Sequence, residues 1–162
     1  YGMACTGQYF RYPDRQPDGI TSDCFFCGLP KDRAALLRDL RDRLEAEGLT
    51  CDFTIPHTPA EKLTYPQYLD RLSRTRCVID ICQQGQTGLT RRPLEALFYG
   101  KKLLTNNPQI ASYDFYRPQN VFILGKDSTD RLRTFIESPI AEVPEPVRAA
   151  YDVNQWIRYY LP

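Results

Sequence analysis

Apolar residues gather in five short runs, at 23–28 (DCFFCG), 49–55 (LTCDFTI), 77–81 (CVIDI), 101–105 (KKLLT) and 120–124 (NVFIL), with segments of helical period between them. A short run with little alternation reads as a strand covered on both faces, the mark of a parallel sheet between two layers of helix. Between the first two runs, Ala34, Leu37, Leu40 and Leu44 recur at helical spacing, with Pro30 near the start and Gly48 at the stop. Tyr65, Tyr68, Leu69 and Leu72 predict a short second helix. Leu94, Leu97 and Phe98, with Gly100 as a left-handed cap, predict a third, and Leu132, Phe135 and Ile136 a fourth over 127–137. Asn106, Asn107 and Pro108 mark a turn followed by a short helical segment, and 139–147 (PIAEVPEPV) reads as an extended strap.

Strands alternating with helices predict an α/β fold class: a Rossmann-like three-layer sandwich with a mostly parallel five-stranded sheet. The expected strand order is 3-2-1-4-5, with a crevice over the carboxyl ends of the first and central strands. Residues 1–22, rich in Pro, Gly, Asp and Tyr, read as a linker or N-terminal arm whose Tyr9, Phe10 and Tyr12 can pack on the core; 23–162 form the domain. The ending, 149–162, reads as a docking helix. Its Trp156, Tyr159 and Tyr160 pack on the core or, alternatively, face a membrane interface or an absent domain.

Composition narrows the function. A chain of 162 residues with 42% hydrophobic content buries one core, and a net charge of +1, from 21 basic and 20 acidic residues, draws it neither to nucleic acid nor to an anionic membrane. No run of about 18 apolar residues is present, which excludes a spanning helix. The chain begins at Tyr1 with Met3 inside it and carries no signal peptide, so it is expected to be a piece of a longer protein. Cys24, Cys27, Cys51, Cys77 and Cys82 lie in or beside the strands, and reduced thiols are the expectation. In CFFC the two cysteines, three apart on one strand, face opposite ways, and His57 is the only histidine, so no metal site is expected.

The candidate chemistry collects between 80 and 95. Thr90 is the expected cap of the third helix, its hydroxyl accepting from a first-turn amide, and Pro93 falls in that turn. Arg91 and Arg92 then stand at the positive end of the helix dipole, an unfavourable place worth about 0.3–1 kcal/mol each unless an anion is there too. Gly88 allows close approach of a ligand, Gln86 and Thr87 add hydrogen-bonding side chains, and the amides of Leu89 and Thr90 can point at a phosphate. The alternative is an ordinary strand-to-helix loop with two solvated arginines. Four further residues border the expected crevice. Gly28 sits in the first strand-to-helix turn, and His57 in a polar loop over the second strand, either as a solvated residue or as an acid or base. Asp80 is a strand-end residue that is exposed or fixes the next loop, and Asn106 lies just past the fourth strand. No GxGxxG or GxxxxGK[ST] fingerprint is present.

The stretch QTGLTRRPLEALFYGKKLLTNNPQIASYDFY, 86–116, resembles a family of bacterial glycosyltransferase-like proteins of lipopolysaccharide and capsular polysaccharide synthesis. In that family QTGLT, an arginine, an EAL helix, a GKKL strand and YDFY occur in this order. The likeness extends over about 23–124, and 143–161 is similar to the family's closing helix. It implies half of a GT-B fold, the C-terminal, nucleotide-sugar-binding half of a metal-independent transferase. In that reading Gly88 to Arg92 hold the donor diphosphate and Glu95 is similar in placement to the helix acid on ribose or sugar hydroxyls. The nucleotide sugar is a substrate rather than a cofactor. A saccharide or lipid-linked acceptor would be met through a missing N-terminal domain, with no nucleic acid involved. The implied location is the cytoplasm, with peripheral association of the parent protein at the inner face of the membrane as an alternative. Two other readings use the same residues: a nucleotide- or sugar-phosphate-binding module without transfer activity, and half of a sugar-nucleotide epimerase. No residue stands out as the catalytic base.

Overall fold

The computed structural model describes residues 19–86 and 88–152. Expectations that fall on Tyr9, Phe10, Tyr12, Trp156, Tyr159 and Tyr160 lie outside them. Five strands, β1 (Ser22–Cys27), β2 (Cys51–Thr54), β3 (Thr75–Asp80), β4 (Lys102–Thr105) and β5 (Val121–Ile123), form one all-parallel sheet in the order β2-β1-β3-β4-β5. The helices are α1 (Ala34–Ala46), α2 (Tyr65–Ser73), α3 (Arg91–Phe98), α4 (Leu132–Glu137) and α5 (Glu145–Ala149). None is long and apolar enough to cross a membrane.

Alternation along the strands splits the core in two. Phe25, Val78, Leu103, Val121 and Ile123 point to one face, where Tyr68 and Leu72 of α2 and Leu94 and Phe98 of α3 meet them. Cys24, Phe26, Cys77, Ile79, Leu104 and Phe122 point to the other, under Leu37, Leu40 and Leu44 of α1 and Leu132 and Ile136 of α4. Two covered faces give the three-layer α/β sandwich expected. Cys24 and Cys27 fall on opposite faces, as their spacing requires.

The strand order departs from 3-2-1-4-5. The chain reverses after β2 rather than after β3, so β3 lies between β1 and β4. Burial explains it: β2 is half-buried at every position and carries Asp52, which suits an edge, whereas four consecutive residues of β3, Cys77 to Asp80, are buried and need a strand on each side. The crevice expected over the first and central strands therefore opens between the carboxyl ends of β1 and β3, where the connections leave in opposite directions.

Local signals place the helices. Thr64 and Gln67 close a capping box at the start of α2. Gly100, at φ 60°, ends α3, and Lys101 N–H reaches back 2.8 Å to the Ala96 carbonyl. Expectations at 127–137 and 139–147 are corrected in part. A 3₁₀ turn, Thr129–Arg131, precedes a shorter α4, and the strap is extended only to Pro144, where α5 begins. Asp127 is drawn out of the helix because its carboxylate accepts the Ile123 N–H at 2.6 Å, while Val121 N–H donates to the Arg117 carbonyl at 3.0 Å. Both outward-facing amides of β5 are thus occupied by the strand's own flanking loops. Ser22 is already part of β1, one residue inside the expected arm.

Candidate functional site

Two guanidinium groups converge at the switch point. Arg92, on the first turn of α3, crosses the end of β1 and donates through Nη2 to the Cys27 carbonyl at 2.7 Å, with Nη1 3.4 Å from Asp80 Oδ1. Arg33, in the 3₁₀ turn Lys31–Arg33 that leads into α1, donates to the carbonyls of Ile81 and, at 3.1 Å, Leu29. Both lie over the ring of Phe26, at 5.1 and 5.3 Å. A Cβ built on Gly28 would sit 2.9 Å from Arg92 Nη2 and 3.6 Å from Arg33 Nη2, so both charges lie close to one point above that glycine. Burial, and after it the charge of Arg92, pulls the Arg33 guanidinium below its ordinary value. Arg33 was not among the residues expected from sequence; the signal was a basic residue in the first strand-to-helix connection, five positions beyond Gly28.

Asp80, 1% exposed at the end of β3, organises the floor. It accepts the Thr90 hydroxyl at 3.0 Å and the Thr105 hydroxyl at 3.5 Å, besides its contact with Arg92. Of the two readings of this residue, it is the one that fixes the loop. The cap expected at Thr90 is corrected here. Thr90 is the cap residue of α3 by conformation, but its side chain makes no capping bond; it is turned to the buried Asp80 carboxylate, to which its hydroxyl donates, and its oxygen accepts from no first-turn amide. Asn106 ties the same floor from β4, accepting Cys82 N–H at 2.7 Å and donating to the Cys82 carbonyl at 3.3 Å. Asn107 donates to the Gly88 carbonyl at 3.2 Å, and Asp32 accepts the Gln84 N–H at 3.0 Å, so the central loop is held from both flanks.

Arg91 and Arg92 part company. One residue is about 100° around a helix, and Arg91 turns to the far side, where Nε meets Glu95 at 2.9 Å and the guanidinium lies over the rings of Tyr65 and Tyr68 at 5.1 and 5.6 Å. Glu95 is fully buried and also accepts hydrogen bonds from Tyr68 and, at 3.4 Å, Tyr65. Burial pushes its carboxyl up, against the pull of the Tyr68 bond and of Arg91. The structure therefore brings Gly28, Asp80, Thr90, Arg92 and Asn106 together, joins Leu89 to the partly buried lining of α3's start, and sets Arg91 and Glu95 apart in a cluster of their own. Gln86 is exposed and accepts the Gln83 N–H at 3.2 Å. His57 is exposed after β2, its amide bound to Glu61 at 2.8 Å. Thr87 lies outside the described residues. Among the described residues no three His, Cys, Asp or Glu side chains are placed to hold a metal ion.

Set against protein-family models and curated proteins, the sequence matches none. The likeness carried by 86–116 rests on those residues alone.

Proposed function

We propose that this chain is the donor-binding half of a metal-independent GT-B glycosyltransferase of bacterial surface-polysaccharide synthesis, holding the diphosphate of a nucleotide sugar at the β1–β3 switch point. The observation that carries the reading is the convergence of Arg33 and Arg92 above Gly28. Two guanidiniums near one point repel each other, and an anion bridging them relieves that repulsion while each retains donors to spare. Phosphate groups suit the fork of a guanidinium, and the amino end of α3 adds first-turn amides that have no acceptor within the helix. The QTGLT–EAL–GKKL–YDFY order supports a nucleotide sugar over other phosphates. In this reading Arg92 and Arg33 neutralise the leaving diphosphate as the glycosidic bond breaks, and the acceptor is met across a cleft whose other wall is a second domain. Arg91 serves the helix rather than the ligand.

Titration of UDP and GDP by calorimetry and by amide chemical shifts tests this. A dissociation constant of about 1 mM or tighter is expected, equivalent to about −4 kcal/mol. Shifts should centre on 28–33 and 86–92. Arg33→Ala and Arg92→Ala should each weaken binding about tenfold or more, and Arg91→Ala much less. If neither nucleotide nor inorganic phosphate perturbs these residues, the reading fails.

A further inference from the structure

Three thiols stand in a row across the sheet. Cys24 of β1 is in direct register with Cys51 of β2 on one side and Cys77 of β3 on the other, and all three belong to the core under α1. We propose that Cys24 and Cys51 form a redox-active dithiol, in which exchange with a low-molecular-weight disulfide closes a bond that staples the edge strand β2 to β1.

Registered residues of neighbouring parallel strands lie on the same face about 4.8 Å apart, inside the Cα separations of about 4.4–6.8 Å that disulfides span. What distinguishes the two sides of Cys24 is access and freedom to move. Cys51 is half-buried, on a four-residue strand with a single neighbour among the described residues, so an incoming disulfide can reach it and β2 can shift to complete the geometry. Cys77 is fully buried in β3, held between β1 and β4, and has neither property. Cys24, also fully buried, is the resolving thiol.

The steps balance with oxidised glutathione as oxidant. The Cys51 thiolate attacks one glutathione sulfur, a mixed disulfide forms at Cys51, and one glutathione thiolate leaves. The Cys24 thiolate then attacks the Cys51 sulfur, the Cys24–Cys51 bond forms, and the second glutathione leaves, the two cysteine protons passing to the two departing thiolates. The reaction is slow near neutrality. The hydrogen bond with Cys24 and burial push the Cys51 thiol up. For Cys24 the bond with Cys51 pulls the thiol down, but the bond with Cys77 and burial raise it by more. Its rate therefore climbs with pH. The staple joins the two strands that end at Cys27 and Thr54, and the Gly28 N–H donates to the Thr54 carbonyl at 3.1 Å, so the bond fixes the strand ends beside the crevice.

The test is peptide mapping of the folded, reduced chain after incubation with oxidised glutathione, with Cys5→Ser as the background. Expected are loss of two thiols, a cross-linked peptide pair containing Cys24 and Cys51, reversal by dithiothreitol, and a rate that increases with pH. Cys77→Ser should keep the cross-link and Cys51→Ser abolish it, each checked for folding by circular dichroism. A cross-link between any other pair, a mixed disulfide at Cys51 that never resolves, or no thiol loss where the urea-unfolded chain oxidises would each overturn the proposal; the wild-type map decides even where a variant misfolds.

Discussion

Replacing Gly28 by alanine would put a methyl carbon 2.9 Å from Arg92 Nη2, closer than side-chain carbons approach nitrogen, while its contacts to Phe26 and Arg33, both 3.6 Å, are ordinary. The guanidinium is the movable party, and in leaving it gives up the 2.7 Å bond to the Cys27 carbonyl and the contact with Asp80. A hydrogen bond with a charged donor contributes about 1.5–3 kcal/mol, which sets the expected loss. Asp80 keeps the hydroxyls of Thr90 and Thr105, so the cost stays below the about 3–5 kcal/mol of a buried charge left alone. At about 2–4 °C per kcal/mol for a domain of this size, Gly28→Ala should lower Tm by about 3–12 °C. The assay is a double-mutant cycle by thermal and urea unfolding. With Arg92→Ala already present the methyl no longer meets the Arg92 guanidinium and keeps only its ordinary contacts and the backbone cost of a side chain at φ 158°, so the loss should be smaller by about 1.5–3 kcal/mol. Equal losses in both backgrounds would mean that the backbone, not the arginine, demands glycine, and would refute the reasoning.

Other outcomes follow from the same geometry. Burial holds the Glu95 carboxyl above its ordinary 4.5, so its contribution to stability is full below the unfolded value and is lost as pH rises through the raised folded one. Glu95→Gln should therefore melt with the wild type near about pH 4 and above it near about pH 7; a variant less stable at neutral pH would show that the Arg91 pair outweighs desolvation. Asn106→Ala removes both bonds to Cys82 and should cost about 1–3 kcal/mol in urea unfolding. An unchanged midpoint would show that water replaces them. Under the proposed donor-binding role this chain alone should bind a nucleotide sugar without transferring it, since donor and acceptor must be held in line with water excluded; turnover of about 1 per second or more in a panel of donors and acceptors would mean that the chain carries a complete mechanism.

The strands and α1 were legible because burial on both faces leaves a plain mark, an apolar run, and because Leu37, Leu40 and Leu44 repeat at one period. The crevice was legible as a place but not in its membership. Arg33 lies in a 3₁₀ turn, which has no periodic signature, and its partners are backbone carbonyls that any sequence would supply. Arg91 could have been read as paired with Glu95, four residues on, but giving Glu95 to a ligand hid the pair. Thr90 was visible as a cap position, whereas its preference for Asp80 depends on a strand end ten residues earlier in the chain. The order of strands hinged on β2, whose four half-buried residues signal a strand without saying which neighbour it lacks.

The occupied amides of β5 bear on how copies of this molecule can meet. A sheet lengthens where an edge offers unpaired donors and acceptors, and at β5 the Asp127 carboxylate and the Arg117 carbonyl have taken the donors of Ile123 and Val121. Among the described residues only the β2 margin is left for strand addition. An edge-to-edge pairing would then join β2 to β2 about a twofold axis, leaving a blocked margin at each outer end, so that it closes at two copies and cannot run on into a fibre.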